Sequence, residues 1–262
     1  MEKRAWDFRH LTERGNVWIF PYNMKLNDAV LHTALATPLC VLHTKKGDAF
    51  VFYGDLDPQI QWEGDARAEL CLISRQEALN AWKVHLDQDY LVLSENYVWE
   101  ENGELVVTGS GKTMIAVYPA VEKGIVDFKE CGKRGNFTLY ERIYKAQEPE
   151  AELVCKEQDK EKAVYELKLA YPGEKNYHDA FAFLTWYGNR MEVFDGEEKI
   201  NDYFYTGQEA LLSLGYFEFP EKLKLVVYPL HPGDPIFLEK QPDAADGCAC
   251  KIEKLHVETI FR

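Results

Sequence analysis

The residues from 177 to 207 constrain the fold of this chain more than any other stretch. Two sets of side chains alternate at its start, and both are largely apolar: Ala180, Ala182, Leu184 and Trp186 against Phe181, Phe183, Thr185 and Tyr187. An alternation that is apolar on both faces is typical of a strand inside a β-sandwich. Turns follow at Gly188-Asn189, where positive φ is available, and at Asp195-Gly196. The stretch therefore predicts three short strands of an all-β sandwich.

Short alternating segments separated by turn residues continue along most of the chain. Two hairpins are predicted, at 39–53 and at 97–108. Further strands are predicted at 16–22, 29–33, 59–63, 69–73, 90–93, 113–118, 124–128, 137–144, 152–154, 163–170, 223–228, 236–239 and 251–260. The polar segment 146–151 carries a proline and is the predicted linker. The sequence thus predicts an all-β protein with two β-sandwich domains, 1–147 and 148–262.

One helix is expected within the first domain. Ser74 and Glu77 have the spacing of a capping box, in which each side chain accepts a hydrogen bond from the other residue's backbone N–H. Ala78, Leu79, Ala81 and Trp82 follow and would give the helix an apolar face. The pattern predicts a single short helix of about 11 residues near 74–85, inserted between strands.

The charge of the chain limits its partners. Thirty Lys plus Arg stand against 44 Asp plus Glu among 262 residues, so the formal net charge is −14. Such a field repels nucleic acids and anionic membrane surfaces, and it suits a neutral ligand such as a sugar. No apolar run approaches the ~20 residues that span a bilayer. The first fifteen residues contain no apolar signal core, so a cytoplasmic location is expected.

The cysteines and histidines predict no metal site. Four of the six cysteines, at 40, 71, 131 and 155, lie in apolar, strand-like contexts and are predicted to be buried thiols. Cys248 and Cys250 are one residue too close for a metal-binding CxxC knuckle, and no second knuckle exists. The seven histidines show neither HxH nor HExxH spacing. The sequence therefore predicts reduced thiols, no metal and no other cofactor.

Two motifs resemble catalytic or nucleotide-binding sites but have simpler interpretations. The segment 109–113 (GSGKT) looks like the end of a phosphate loop, but Val106 occupies the place of the first glycine and a strand pattern follows, which favours a β-turn. Glycoside hydrolysis needs two facing carboxylates, and the sequence cannot select a pair from 44. The single predicted helix excludes a (β/α)8 barrel.

The aromatic residues of the 177–207 stretch suggest a sugar-binding face. Trp186, Tyr187, Tyr203 and Tyr205 fall on strands joined by the Asp195-Gly196 turn, so their rings could converge and stack on a sugar ring. Asn189 and Arg190 lie at the adjacent turn and could bind hydroxyl groups. The predicted carbohydrate-binding residues are therefore Trp186, Tyr187, Asn189, Arg190, Tyr203 and Tyr205. The alternative is that these rings belong to the core.

Three segments carry a resemblance to a known family. They are 49–64 (AFVFYGDLDPQIQWEG), 70–99 (which includes LCLISRQEALNAWKV and YLVLSENYVW) and 191–230 (which begins MEVFDGEEKINDYFYTG). In this order they resemble the region that follows the catalytic barrel in bacterial beta-galactosidase-like glycoside hydrolases of the family-35 type. The resemblance covers about half of the chain and implies that the second domain is a galactose-binding-like jelly roll. The family's catalytic glutamates lie on the barrel, so the resemblance implies no catalytic residue here.

The expected function follows from this resemblance. It implies a non-catalytic accessory region of a beta-galactosidase-like glycoside hydrolase, with the catalytic barrel as partner and a galactoside-type carbohydrate as ligand. Two alternatives stay open: a self-contained sugar-acting enzyme with a carboxylate pair in a sandwich cleft, and a protein-interaction module without a ligand. Two buried carboxylates facing each other across a groove would favour the enzyme. A bare apolar surface would favour docking.

Overall fold

A computed structural model describes residues 19–54, 57–122, 125–145, 149–171, 177–231, 233–234 and 250–262. The chain divides into two compact units, the first from the described residues of 1–107 and 114–142 and the second from those of 108–113 and 143–262. Regular structure in both is almost entirely β, which confirms the predicted all-β class with sandwich units and one short helix. Residues 146–148 lie outside the described part, so the boundary at 147/148 stays a prediction.

The strands described in the first unit form four sheets. They are β1 (Tyr22–Leu26), β2 (Ala29–Thr33), β3 (Thr37–Thr44), β4 (Gly47–Tyr53), β5 (Gln61–Glu63), β6 (Glu69–Ile73), β7 (Ala81–His85), β8 (Asp89–Leu93), β9 (Val98–Glu101), β10 (Glu104–Val107), β11 (Lys112–Tyr118), β12 (Lys129–Arg134) and β13 (Phe137–Ile143). The strand orders are β1-β2-β5, β3-β4-β6, β12-β13-β11-β8-β7 and β10-β9. Both predicted hairpins, β3–β4 and β9–β10, are confirmed.

Three apolar clusters separate these four sheets. Leu31 and Phe52 belong to the cluster between the β1-β2-β5 and β3-β4-β6 sheets. Val51 and Leu91 belong to the next cluster, and Val92 belongs to the third, which the β9–β10 hairpin covers. Strand β8 is buried at every position because its alternate side chains enter two different clusters. The first unit therefore contains more layers of sheet than a two-sheet sandwich.

The predicted helix begins as expected but is shorter. Helix α1 (Arg75–Leu79) starts after the N-cap Ser74, and both hydrogen bonds of the capping box with Glu77 are present. The predicted extension to residue 85 is wrong, because residues 81–85 form β7. Strand β7 pairs antiparallel with β8, and this ladder takes up the backbone groups that further helical turns would have used.

In the described residues, the second unit is a β-sandwich of two antiparallel sheets. Its strands are β14 (Glu150–Gln158), β15 (Ala163–Ala170), β16 (Tyr177–Tyr187), β17 (Arg190–Asp195), β18 (Glu198–Phe204), β19 (Ala210–Ser213), β20 (Lys222–Tyr228) and β21 (Lys251–Phe261). One sheet has the order β14-β15-β20-β17-β18, and the other has the order β19-β16-β21. Between β14 and β20, apart from the β14–β15 and β17–β18 hairpins, each strand is followed by one in the opposite sheet.

Five sequence predictions about strands differ from the structure. Residues 19–21 of the strand predicted at 16–22 lie outside any strand, and β1 begins at Tyr22. Residues 125–128 lie outside any strand, and β12 and β19 were not predicted. Strand β14 begins at Glu150, inside the predicted linker. Strands β12 and β14 are sheet edges with mostly exposed side chains, so they lack the apolar periodicity on which the prediction depends. The strand predicted at 236–239 lies outside the described residues.

Candidate functional site

Two of the six predicted sugar-binding residues belong to the core of the second unit. Trp186 is 2% exposed and Tyr205 is 6% exposed, and their rings meet edge-on with centroids 5.2 Å apart. Tyr187 is half-buried at the end of β16, where its ring lies 6.1 Å from that of Tyr205. The four predicted rings therefore do not share one exposed face, and this part of the prediction is corrected.

The other two rings have their hydroxyl groups bound to the protein. The Tyr203 hydroxyl donates to the Leu211 carbonyl at 2.6 Å and accepts from Asn201 Nδ2 at 3.0 Å. Burial raises the pKa of Tyr203 to about 12. The Tyr187 hydroxyl donates to Glu253 Oε2 at 3.2 Å. Tyr203 thus links β18 to β19, and both Tyr187 and Tyr203 are only partly exposed.

The turn between β16 and β17 is held by hydrogen bonds and by a close approach at Gly188. Asn189 Nδ2 donates to Asp234 Oδ2 at 3.1 Å, and the Asn189 N–H donates to the Tyr228 carbonyl at 2.9 Å. Neither Gly188 nor Asn189 is among the residues with positive φ, contrary to the sequence interpretation. Glycine is required for another reason: a Cβ at Gly188 would lie 2.7 Å from the Tyr228 carbonyl oxygen and 2.7 Å from Val227 Cγ1.

Arg190 lies on the outer face of the five-stranded sheet, away from the predicted rings. Its guanidinium carbon is 4.5 Å from the centroid of the Tyr228 ring, and its Nη2 is 3.4 Å from Glu192 Oε1. The Tyr228 hydroxyl donates to Glu192 Oε2 at 2.9 Å. Arg190, Glu192 and Tyr228 thus form one connected group on neighbouring strands β17 and β20.

A second charged group on this outer face surrounds Glu166. Its side chain is 14% exposed, and it pairs with Lys156 at 3.1 Å and with Lys222. The hydrogen bonds from Lys222 and Lys156 hold the pKa of the Glu166 carboxyl below its usual range. The neighbouring Lys224 ammonium lies 4.6 Å from the centroid of the Phe194 ring. An open pocket of about 470 Å³ lies over this group.

The sequence analysis did not single out Glu166, Lys222 or Lys224. A signal was available, because charged residues flank a buried leucine both in 166–168 and in 222–224. The sequence does not reveal that β15 pairs with β20, and this pairing sets Glu166 opposite Lys224. Of the six predicted residues, only Arg190 lies on this sheet face.

The carboxyl groups share one electrostatic property. Each Asp or Glu of the described residues whose pKa clearly departs from its ordinary value has a lowered pKa: Asp48, Asp87, Asp89, Asp159, Glu166, Asp234 and Glu253. Hydrogen bonds from lysine, histidine, asparagine, tyrosine or backbone donors favour the ionised form. These groups are therefore ionised at neutral pH.

The remaining candidate sites have structural explanations. The described residues contain no group of three or more His, Cys, Asp or Glu side chains that could hold a metal ion. Cys71 is buried as predicted, whereas Cys131 and Cys155 are exposed because they lie on the edge strands β12 and β14. Cys248 lies outside the described residues. The 109–113 segment connects β10 to β11, so a strand follows it, as the β-turn interpretation requires.

Comparisons with known proteins give no family. Neither the protein-family models nor the curated proteins contain a match to this chain. In the part of the chain that the structure describes, no helix is both long and apolar enough to cross a membrane.

Proposed function

We propose that this chain is a non-catalytic accessory region of a beta-galactosidase-like glycoside hydrolase. In this proposal it supports the catalytic barrel and presents a carbohydrate-binding surface. The observation that carries the proposal is the sandwich of two antiparallel sheets in the second unit, which agrees with the jelly roll that the resemblance of 191–230 implies. That segment coincides with β17, β18, β19 and β20, which contribute to both sheets.

The ionisation of the carboxyl groups favours this proposal over a self-contained hydrolase. A glycosidase acid must hold a proton at neutral pH, so its pKa has to be raised. The least exposed carboxylates among the paired ones, Asp89, Glu192 and Glu166, are all engaged by cations. Asp89 and Glu166 have lowered pKa values, which suits structural ion pairs rather than proton donation.

The interaction-module alternative has one observation in its favour. Leu211 is 48% exposed and Tyr216 is 80% exposed on or next to β19, and such side chains can anchor a protein partner. An accessory region that packs against a barrel would use the same kind of surface. The proposal keeps the expected cytoplasmic location, which the free cysteines of the described residues favour.

Two measurements test the proposed function. The isolated chain should not hydrolyse aryl β-galactosides or aryl β-glucosides above the buffer rate. When added to a family-35-type catalytic barrel that lacks its own C-terminal region, it should raise the melting temperature of the barrel. Turnover that survives repurification would establish the enzyme alternative instead. An unchanged melting temperature of the barrel would contradict the supporting role.

A further inference from the structure

The pocket over Glu166 has features that the proposed function does not assign. It is formed by the strands β14, β15 and β20 together with the turn between β17 and β18. Its volume of about 470 Å³ lies within the ~300–1,000 Å³ range of small-molecule sites. Most of its side chains are carried by strands, so their positions are fixed by the sheet ladder rather than by loops.

The charges around the pocket balance. Three ammonium groups line it, from Lys156, Lys222 and Lys224, and three carboxylates line it, from Glu166, Asp195 and Glu197. Their formal charges sum to zero, although the whole chain carries −14. A pocket without net charge gives no electrostatic preference for a charged ligand, and the field of the chain disfavours anions.

The same groups offer both donors and acceptors to a ligand. Each ammonium has three N–H donors, and each carboxylate has about four acceptor positions. Glu166 uses part of its capacity for Lys156 and Lys222, so donors and acceptors are left over on all three residues. The partly buried Val164 adds an apolar contact surface in the pocket. Closely spaced donors and acceptors beside an apolar contact match the alternating O–H and C–H groups of a sugar.

We infer that this pocket binds a neutral saccharide of one or two rings, through hydroxyl contacts to Glu166, Lys222 and Lys224. The inference rests on the proposed function, because it names the ligand class and the place of the carbohydrate-binding surface. It relocates that surface from the predicted aromatic residues to the outer face of the five-stranded sheet. Affinity is expected near the millimolar range, since an open pocket buries only part of the ligand.

The test is a titration of the ¹⁵N-labelled chain with galactose, lactose, cellobiose and glucuronate, followed by amide chemical shifts. We expect the neutral sugars to shift the amides of 164–166 and 222–224. Glu166→Gln and Lys222→Gln should each weaken binding about tenfold, the usual effect of losing one hydrogen bond to a charged group. Lys222 is 66% exposed, so its variant tests the site even if Glu166→Gln fails to fold. The matched control is Lys251→Gln, which removes a similarly paired lysine from β21 and should leave binding unchanged.

Each other result would overturn the inference in a distinct way. Shifts confined to the β16–β21 sheet, with wild-type affinity in both variants, would place the sugar site elsewhere and leave the proposed carbohydrate-binding function intact. Tighter binding of glucuronate than of the neutral sugars would overturn the neutral ligand class. If no amide shift changes with any sugar at about 50 mM, both the assignment of this pocket as a sugar site and the carbohydrate-binding role are overturned. The barrel-melting experiment would then decide separately whether the supporting role stands.

Discussion

The indole ring of Trp186 meets the ring of Tyr205 edge-on inside the second unit, with centroids 5.2 Å apart and planes at 83°. Strand β16 contributes Trp186 from the three-stranded sheet, and Tyr205 follows directly after β18 of the five-stranded sheet. The pair therefore joins the two sheets across the core, and aromatic pairs of this geometry add to the free energy of burial.

Replacement of Trp186 should destabilise the fold. Trp186→Ala removes a fully packed ring and leaves a cavity, so we expect the free energy of unfolding to fall by about 3–5 kcal/mol in urea titrations. Tyr216→Ala is the control, because Tyr216 is 80% exposed and its loss should change stability by less than about 0.5 kcal/mol. A Trp186→Ala protein with the wild-type midpoint and impaired sugar binding would show that the indole is a surface ligand.

Loss of the helix cap at Ser74 should lower the free energy of unfolding by less than loss of the Trp186 ring. Ser74 Oγ accepts from the Glu77 N–H at 3.2 Å, and Glu77 Oε2 accepts from the Ser74 N–H at 2.8 Å. Ser74→Ala leaves a first-turn N–H unpaired and should cost about 1 kcal/mol, measured as a lower denaturation midpoint. Gln76→Ala, at an exposed position of the same helix, should leave the midpoint nearly unchanged. Equal midpoints for all three proteins would contradict the role of the cap.

Asp89 should make the stability of the first unit depend on pH. Burial raises the pKa of its carboxyl, but hydrogen bonds from the His43 N–H, Lys83 and His85 outweigh burial and hold the pKa well below its usual range. A lowered pKa in the folded state stabilises the protein above the unfolded-state value of about 3.9, and this contribution is lost as pH falls below that value. Stability should therefore decline in acid.

The variant Asp89→Asn isolates this contribution. At pH 7 it should lower the free energy of unfolding by about 1.5–3 kcal/mol, because hydrogen bonds to a charged acceptor are lost. The difference from the wild type should shrink as the pH falls below about 4. Asp65→Asn, at an exposed position, should follow the wild-type curve. A difference that is constant from pH 7 to pH 3 would show that Asp89 acts through packing and not through its charge.

Chelators should have no effect on stability. The described residues contain no cluster of three metal-ligating side chains, and the CxC spacing of Cys248 and Cys250 does not match a zinc knuckle. We therefore expect the same melting temperature with and without EDTA, measured by circular dichroism. A fall of several degrees in EDTA would reveal a structural metal that the sequence pattern does not predict.

Alternation and turn residues predicted most strands of this protein but not their environment. The apolar alternation of β16 predicted a strand that is covered on its inner face, and Asp195-Gly196 forms the β17–β18 turn. Because both faces of β16 are apolar, the sequence alone could not show that Trp186 is buried while Tyr187 is only half-buried. The other strands of the second unit decide which face is covered.

The edge strands and the helix show the limit of local signals. Strands β12 and β14 form by backbone hydrogen bonds to their neighbours while exposing charged side chains, so they carry no apolar period. Ala81 and Trp82 continue the helical spacing of Ala78 and Leu79, yet pairing with β8 makes residues 81–85 a strand. Tertiary contacts override weak local propensity in both cases.

The sequence by itself determined the all-β class, the capping box at Ser74 and the net negative charge that disfavours polyanionic partners. These depend on neighbouring residues or on composition, which can be read directly. Only the tertiary structure decided that Glu166 lies beside Lys222 and Lys224, because a non-local ladder between β15 and β20 brings them together. Register between strands distant in sequence depends on the packing of whole sheets, and no local pattern encodes it.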